Sequence, residues 1–264
     1  MEAVIVGRAR ERAELDRALD GLVGGAGAAV LVTGEAGIGK STLLAGLTAR
    51  AAAAAVPVLL GRCVPDRGVP EFWTWSRLLA TPAAAELGLH PALVEVDAVD
   101  APATARFRAV ARCAEQLATA ATADGLVVAC EDVHWADQAS LALLEHLARD
   151  SAASRLLVVA TSRDPLPVAL GKLAGQTGVL RITLGPLGAA DVRDYLCGLD
   201  GADPLSLHRR SGGNPLYLRE LVRQRDDEDI GTALRDLLLR RLDDLDAGTR
   251  TLLDGAAVLG DEVD

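Results

Sequence analysis

The stretch that constrains this chain most is Val30-Leu31-Val32-Thr33-Gly34-Glu35-Ala36-Gly37-Ile38-Gly39-Lys40-Ser41-Thr42. The β-branched run from Val30 to Thr33 reads as a buried strand, and Ser41 to Arg50 reads as a helix. Three glycines lie in the turn between them, followed by Lys40 and Ser41. This is the spacing G-x-x-x-x-G-K-[ST], in the strand–turn–helix setting that the pattern requires. Its chemistry is specific. Backbone N–H groups must converge on phosphate oxygens, and side chains would block that approach. Gly34, Gly37 and Gly39 keep the turn open, with Glu35, Ala36 and Ile38 between them. Lys40 is placed to reach β- and γ-phosphates, Ser41 to offer its hydroxyl to Mg²⁺, and Thr42 continues the helix.

The rest of the composition narrows the class. A chain of 264 residues that is 50% hydrophobic can bury a large core. Aromatics make up only 3%, so that core must come from Leu, Val and Ala. The alanine-rich segment 49–55 is too short and too weakly apolar to span a bilayer. Arg8, Arg10 and Glu11 come too early for a signal peptide, so a cytoplasmic location is expected. The net charge of −10 argues against sequence-independent nucleic-acid binding. Cys63, Cys113, Cys130 and Cys197 are isolated from one another and read as reduced, buried small hydrophobes.

Hydrophobic periodicity orders the chain. An extended segment, 4–8, precedes a helix over about 9–22, with Leu15, Ala18, Leu19 and Leu22 on one face. Strands are expected at 58–62, 126–130, 156–161 and 179–184. Between them lie helices over 76–79, near Ala84, over 103–121, and from an Asp137 cap to Arg149. Strands alternating with helices imply a parallel sheet covered on both faces. Beyond Gly185-Pro186 only helices are expected: about 189–196, one opening at Asn214-Pro215, 232–242 and 247–259. Boundaries fall near 185 and, after the acidic run 226–229, near 229. The expected units are therefore an α/β phosphate-binding domain over 1–185, a helical subdomain over 186–229, and a last unit over 230–264.

Hydrolysis would need more than the turn. The apolar strand Leu126–Cys130 ends in Glu131-Asp132, at the end of the sheet where ligands bind. One acid is placed to hold Mg²⁺ and the other to orient water or take its proton; alternatively, one of them only caps the next turn. Arg163 follows the next strand directly and is placed to sense phosphate through fork-like hydrogen bonds. His134 reads as structural, Trp135 as packing the following loop, and Trp73 with Trp75 as a packed wedge.

These elements together resemble the ATPase module of bacterial signal-transduction ATPases with numerous domains (STAND-class, AAA/NACHT-like), within large regulators that often end in a LuxR-type DNA-binding domain. Val6-Gly7-Arg8 with Glu11 resembles the opening element near the adenine. Gly34 to Thr42 is similar to the P-loop, and Gly61-Arg62-Cys63 with Val69-Pro70 to the second-strand region. Glu131 to Asp137 resembles the acidic strand end, and Thr161 to Asp164 the sensor. Ser211-Gly212-Gly213-Asn214-Pro215-Leu216 resembles the lid motif, whose proline approaches the base. Leu252 to Gly260 looks like the start of a winged helix.

The resemblance implies a P-loop NTPase with a parallel sheet flanked by helices, a helical lid and the beginning of a winged-helix subdomain. It implies ATP or ADP and Mg²⁺ as ligands, slow hydrolysis, and a switch role in transcription regulation; the alternative is a nucleotide-bound interaction module without turnover. In the family the first acid binds the metal, whereas here that position holds the longer Glu131, so either Glu131 or Asp132 anchors it. The expected partners are the nucleotide and either a second copy or another protein, with no membrane and no direct nucleic-acid contact. Arg62, Arg209, Arg210 and Arg219 are equal candidates for an arginine finger. Family members are several times longer, so a chain stopping at Asp264 reads as a fragment, a truncated product or a short member.

Overall fold

Five runs rich in Val, Leu and Ala form one sheet. The computed structural model describes residues 6–66, 68–96, 101–121, 125–197, 203–223, 239, 242 and 246–259. In chain order, helix α1 (Ala9–Val23) leads into strand β1 (Ala28–Gly34), then α2 (Lys40–Ala53) and β2 (Val58–Arg62). Short helices α3 (Trp73–Leu79) and α4 (Pro82–Glu86) precede the long α5 (Pro102–Ala120). Then come β3 (Leu126–Glu131), α6 (Gln138–Asp150), β4 (Leu156–Arg163), α7 (Gly171–Gly175) and β5 (Val179–Leu184). The remaining described elements are all helical: α8 (Ala189–Tyr195), α9 (Pro204–Ser211), α10 (Pro215–Arg223) and α11 (Ala247–Leu259).

The strand order is β2-β3-β4-β1-β5, and every pairing is parallel. Side chains alternate across the pleat, and in β3 the alternation sorts them between two cores. Leu126, Val128 and Cys130 join Phe72, Trp75, Cys113, Leu117 and Leu143 on one face. Val127 and Ala129 join Leu15, Leu19, Leu22, Leu43 and Leu47 on the other. This two-sided burial is why the strands read as unbroken apolar runs. A third cluster, Leu187, Val192, Leu196, Leu207, Leu218 and Leu221, belongs to the C-terminal helices alone.

The α/β class, the strands and the helical C-terminal part match the sequence expectation. Two helices were not expected: α7, and α9, which opens on Asp203-Pro204 with the Asp203 side chain accepting from the Leu205 N–H at 3.1 Å. Helix α3 starts at Trp73 instead of Ser76, drawing fully buried Trp75 into its first turn. The Trp75 indole N–H donates to the Ser140 carbonyl at 3.1 Å, so the wedge reading holds for this residue. Cys63, Cys113 and Cys130 are buried and free, but Cys197 is exposed, contrary to expectation. The extended segment at 4–5, the acidic run 226–229 and, apart from 239 and 242, the helix 232–242 lie outside the described residues. Among the described residues no helix is long and apolar enough to cross a membrane.

Candidate phosphate and nucleotide site

The register sets the site. β4 lies between β1 and β3, with Gly34 beside Arg163 and Cys130 beside Ala160. The turns leaving β1, β4 and β3 therefore sit side by side at the carboxyl edge. On the far side of β3, Arg62 pairs with Glu131.

The turn after β1 is built on positive backbone angles, φ +77° at Gly37 and +106° at Gly39, which residues with a Cβ rarely adopt. Lys40 opens α2 and is nearly buried. Its ammonium donates to the carbonyls of Gly34 at 2.8 Å and Glu35 at 2.7 Å, folding the side chain over the turn. Burial lowers the Lys40 pKa below its usual value. The neighbouring charge of Arg163 acts in the same direction, and those of Asp132, Asp164 and Glu35 oppose it. Ser41 and Thr42 follow with exposed side chains, and Glu35 is exposed as well.

At the end of β3 the chain turns sharply. Asp132 adopts a left-handed conformation, φ +56°, tolerable for Asp, and its N–H donates to the Thr161 hydroxyl at 3.0 Å. The 3₁₀ turn Val133–Trp135 that follows reaches back to β4. His134 Nδ1 accepts from the Arg163 N–H at 3.3 Å. The Arg163 guanidinium lies over the Trp135 ring, 5.6 Å from its centre. Trp135 is 41% exposed, so it supports Arg163 more than it packs the next loop. Asp137 caps α6 as expected, accepting from the Ser140 N–H at 2.8 Å. It also accepts from the Phe72 N–H at 3.0 Å, tying this turn to the start of α3.

Arg8 is nearly buried, and its guanidinium donates to the carbonyls of Ile38 at 3.1 Å and Gly185 at 2.6 Å. Gly7 lies directly against the Asp191 side chain of α8. Pro215 begins α10, and its predecessor Asn214 donates to the Ala36 carbonyl at 3.0 Å.

Residues 4–159 match the family described as AAA ATPase domain. The chain belongs to this family. Uncharacterized protein R02095 of Rhizobium meliloti (strain 1021) is 28% identical over 259 residues, which take in 84% of this AAA ATPase chain and 25% of that protein. Among solved structures, the STAND protein PH0952 of Pyrococcus horikoshii, a signal transduction ATPase with a tetratricopeptide repeat sensor, superposes with a TM-score of 0.55 at 16% identity. That likeness covers 92% of this chain and 33% of PH0952. The RuvB Holliday junction branch migration motor of Thermotoga maritima gives 0.51 at 17% identity, over 96% of this chain and 78% of RuvB. The AAA ATPase chain thus spans a quarter to a third of the length of R02095 and PH0952. At such identities these two structures establish the fold: a P-loop NTPase sheet followed by helices.

For two residues of the candidate site the structure adds contacts that the sequence reading did not name. Arg62 Nε stands 3.4 Å from Glu131 and 3.7 Å from Asp132, a cation between the two acids. The sequence offered it as one of four arginine-finger candidates and within the second-strand motif; the structure places it beside this chain's own acids. Asn214 was expected as a helix cap and as a member of the lid motif, but its contact with Ala36, 178 positions earlier, left no local trace.

Proposed function

We infer that the chain binds ATP with Mg²⁺, hydrolyses it slowly, and uses the bound nucleotide to set a conformational switch. One observation carries this: the turn holding Lys40, the Arg163 turn and the Glu131-Asp132 turn leave three adjacent parallel strands at one edge. In this reading the amides of Gly34 to Thr42 cradle the phosphates, and Lys40 moves from its carbonyl partners onto the β- and γ-oxygens. Arg163 senses the γ-phosphate. Gly7, Arg8 and Pro215 flank the base. One of Glu131 and Asp132 serves the metal, and the other orients water.

The donor set fits magnesium. Among the described residues no group of three or more His, Cys, Asp or Glu could enclose a metal. A hydroxyl from Ser41, one or two carboxylates, water and phosphate oxygens are what this small hard cation takes. When bound, magnesium neutralises charge on the β- and γ-oxygens.

We read residues 1–185 as the nucleotide domain, 186–229 as a lid, and 230–264 as the start of a winged helix. The likeness to PH0952, a signal transduction ATPase, supports a signalling role, and the resemblance of the motifs supports a place in a LuxR-type transcription regulator. To move such a switch from 1:99 to 99:1, the nucleotide must favour one state by about 5.5 kcal/mol.

Titration of ATP into the chain and into Lys40→Ala tests the reading. The variant should bind at least about tenfold more weakly and lose turnover; equal affinities would overturn the proposal. A second reading, tight nucleotide binding without turnover, draws support from Arg62, whose Nε stands within 3.4 Å of Glu131 and 3.7 Å of Asp132. It expects ADP to be retained through purification with no phosphate released from added ATP.

A further inference from the structure

The P-loop is gripped from behind, and one of the grips comes from the lid. In a turn whose N–H groups converge inward, the carbonyls of the same peptide units point outward and need partners. Two of them have partners from outside the nucleotide turn. Ala36 O accepts from Asn214 Nδ2 at 3.0 Å, and Ile38 O accepts from Arg8 Nη2 at 3.1 Å. The Ala36 carbonyl shares its planar peptide with the Gly37 N–H, and the Ile38 carbonyl with the Gly39 N–H. Each grip therefore fixes the direction in which one inward donor points.

Asn214 is suited to this task. It is 4% exposed. Its Oδ1 accepts from the Leu216 N–H at 3.0 Å, capping α10. That bond demands an oxygen on one side of the amide, so the Nδ2 donor must face the Ala36 carbonyl. Leu216 seals the contact: a Cβ at Gly37 would lie 2.7 Å from the Leu216 Cβ. Gly37 thus serves the turn through its positive φ and the lid through its lack of a side chain.

We propose that Asn214 is a positioning residue that aims the Gly37 N–H at the phosphate and makes the seating of the lid depend on what the P-loop holds. This rests on the nucleotide-binding reading above. The chain runs from the Asn214 amide through the Ala36–Gly37 peptide to the phosphate, and hydrogen bonds in series polarise and strengthen one another. A phosphate at one end tightens the lid contact at the other. Arg8 does the same for Gly39, and its second bond, to Gly185, holds the residue just before the lid segment.

Two variants separate this role from plain capping. Asn214→Ser keeps a capping oxygen for the Leu216 N–H but cannot span to Ala36. Asn214→Asp keeps the cap and replaces the donor by an acceptor. In the nucleotide-free chain, the Gly37 amide resonance should move in both variants while that of Gly39, held by Arg8, keeps its position. ADP and ATP should then bind about tenfold more weakly to Asn214→Ser, the worth of one net hydrogen bond. An unmoved Gly37 amide resonance would overturn the proposal, as would an equal change at Gly39. Should the variants not fold, the Asn214 side-chain amide of the unaltered protein still decides: its exchange should slow when ADP saturates the chain, and an unchanged rate would refute the coupling. If ADP does not bind the unaltered chain, the nucleotide reading itself fails, whereas the Gly37 resonance result stands apart from it.

Discussion

His134 uses its two ring nitrogens unequally. Nδ1 accepts from the Arg163 backbone, so the neutral ring carries its proton on Nε2, which is buried and has no hydrogen-bond partner among the described residues. Burial lowers its pKa to about 4, with Arg163 and Lys40 pushing the same way and Asp132 opposing. Because the folded value lies below the unfolded 6.5, the stabilisation is complete above about pH 6.5 and is lost as pH falls toward 4. Denaturant melts at pH 7 and pH 5 should show the chain losing about 1–2 kcal/mol more than His134→Asn, which keeps an acceptor for Arg163. Equal losses would mean that the ring is freely hydrated. The thiols offer a second check at this scale. Burial pushes Cys63 up to about 11 and Cys113 up to about 12, and raises Cys130 as well, while Cys197 is exposed. A thiol reagent near neutral pH should titrate one cysteine per native chain and four after denaturation.

Among the elements, β1 depends on a close approach at its start. A Cβ at Gly27 would run into the carbonyl oxygens of Ser151, Ser154 and Leu156. Gly27→Ala should destabilise the fold by about 2 kcal/mol or more, as strained small-to-large changes do, read as a lower melting temperature with the far-ultraviolet spectrum retained. Local chemistry explains why most elements were legible beforehand. The strands are apolar on both faces, and Asp137 and Asn214 announce helix starts. The miss at α9 was avoidable, since Asp203-Pro204 is the same Asx-Pro signal as Asn214-Pro215. Other features leave no local signal. That β4 lies between β1 and β3 follows from packing of distant segments, yet it puts Arg163 beside Gly34. The pairing of β2 with β3 brings Arg62 to Glu131. Trp135 read as loop packing because nothing in its neighbourhood names Arg163, a residue on another strand.

Across the molecule, two cores clamp the sheet and a third holds helices α8, α9 and α10 by themselves. A nucleotide that touched both the P-loop and these helices would stabilise the joined state. At a hundred times its Kd, ligand binding contributes about 2.7 kcal/mol, which for a chain of this size is roughly 5–10 °C in melting temperature. Scanning calorimetry with and without saturating ADP checks this, and a shift under 1 °C would contradict tight binding at the turn.

The separateness of the third cluster also bears on how such proteins diversify. Six buried side chains hold α8, α9 and α10 together without borrowing from the sheet. That segment grasps the rest of the chain through a handful of fastenings: the Gly185 carbonyl, Asp191 against Gly7, Asn214 and Leu216. A foreign helical cap carrying the same handholds could be grafted onto this sheet, so recombination can trade the helical part while leaving intact the part that carries the P-loop.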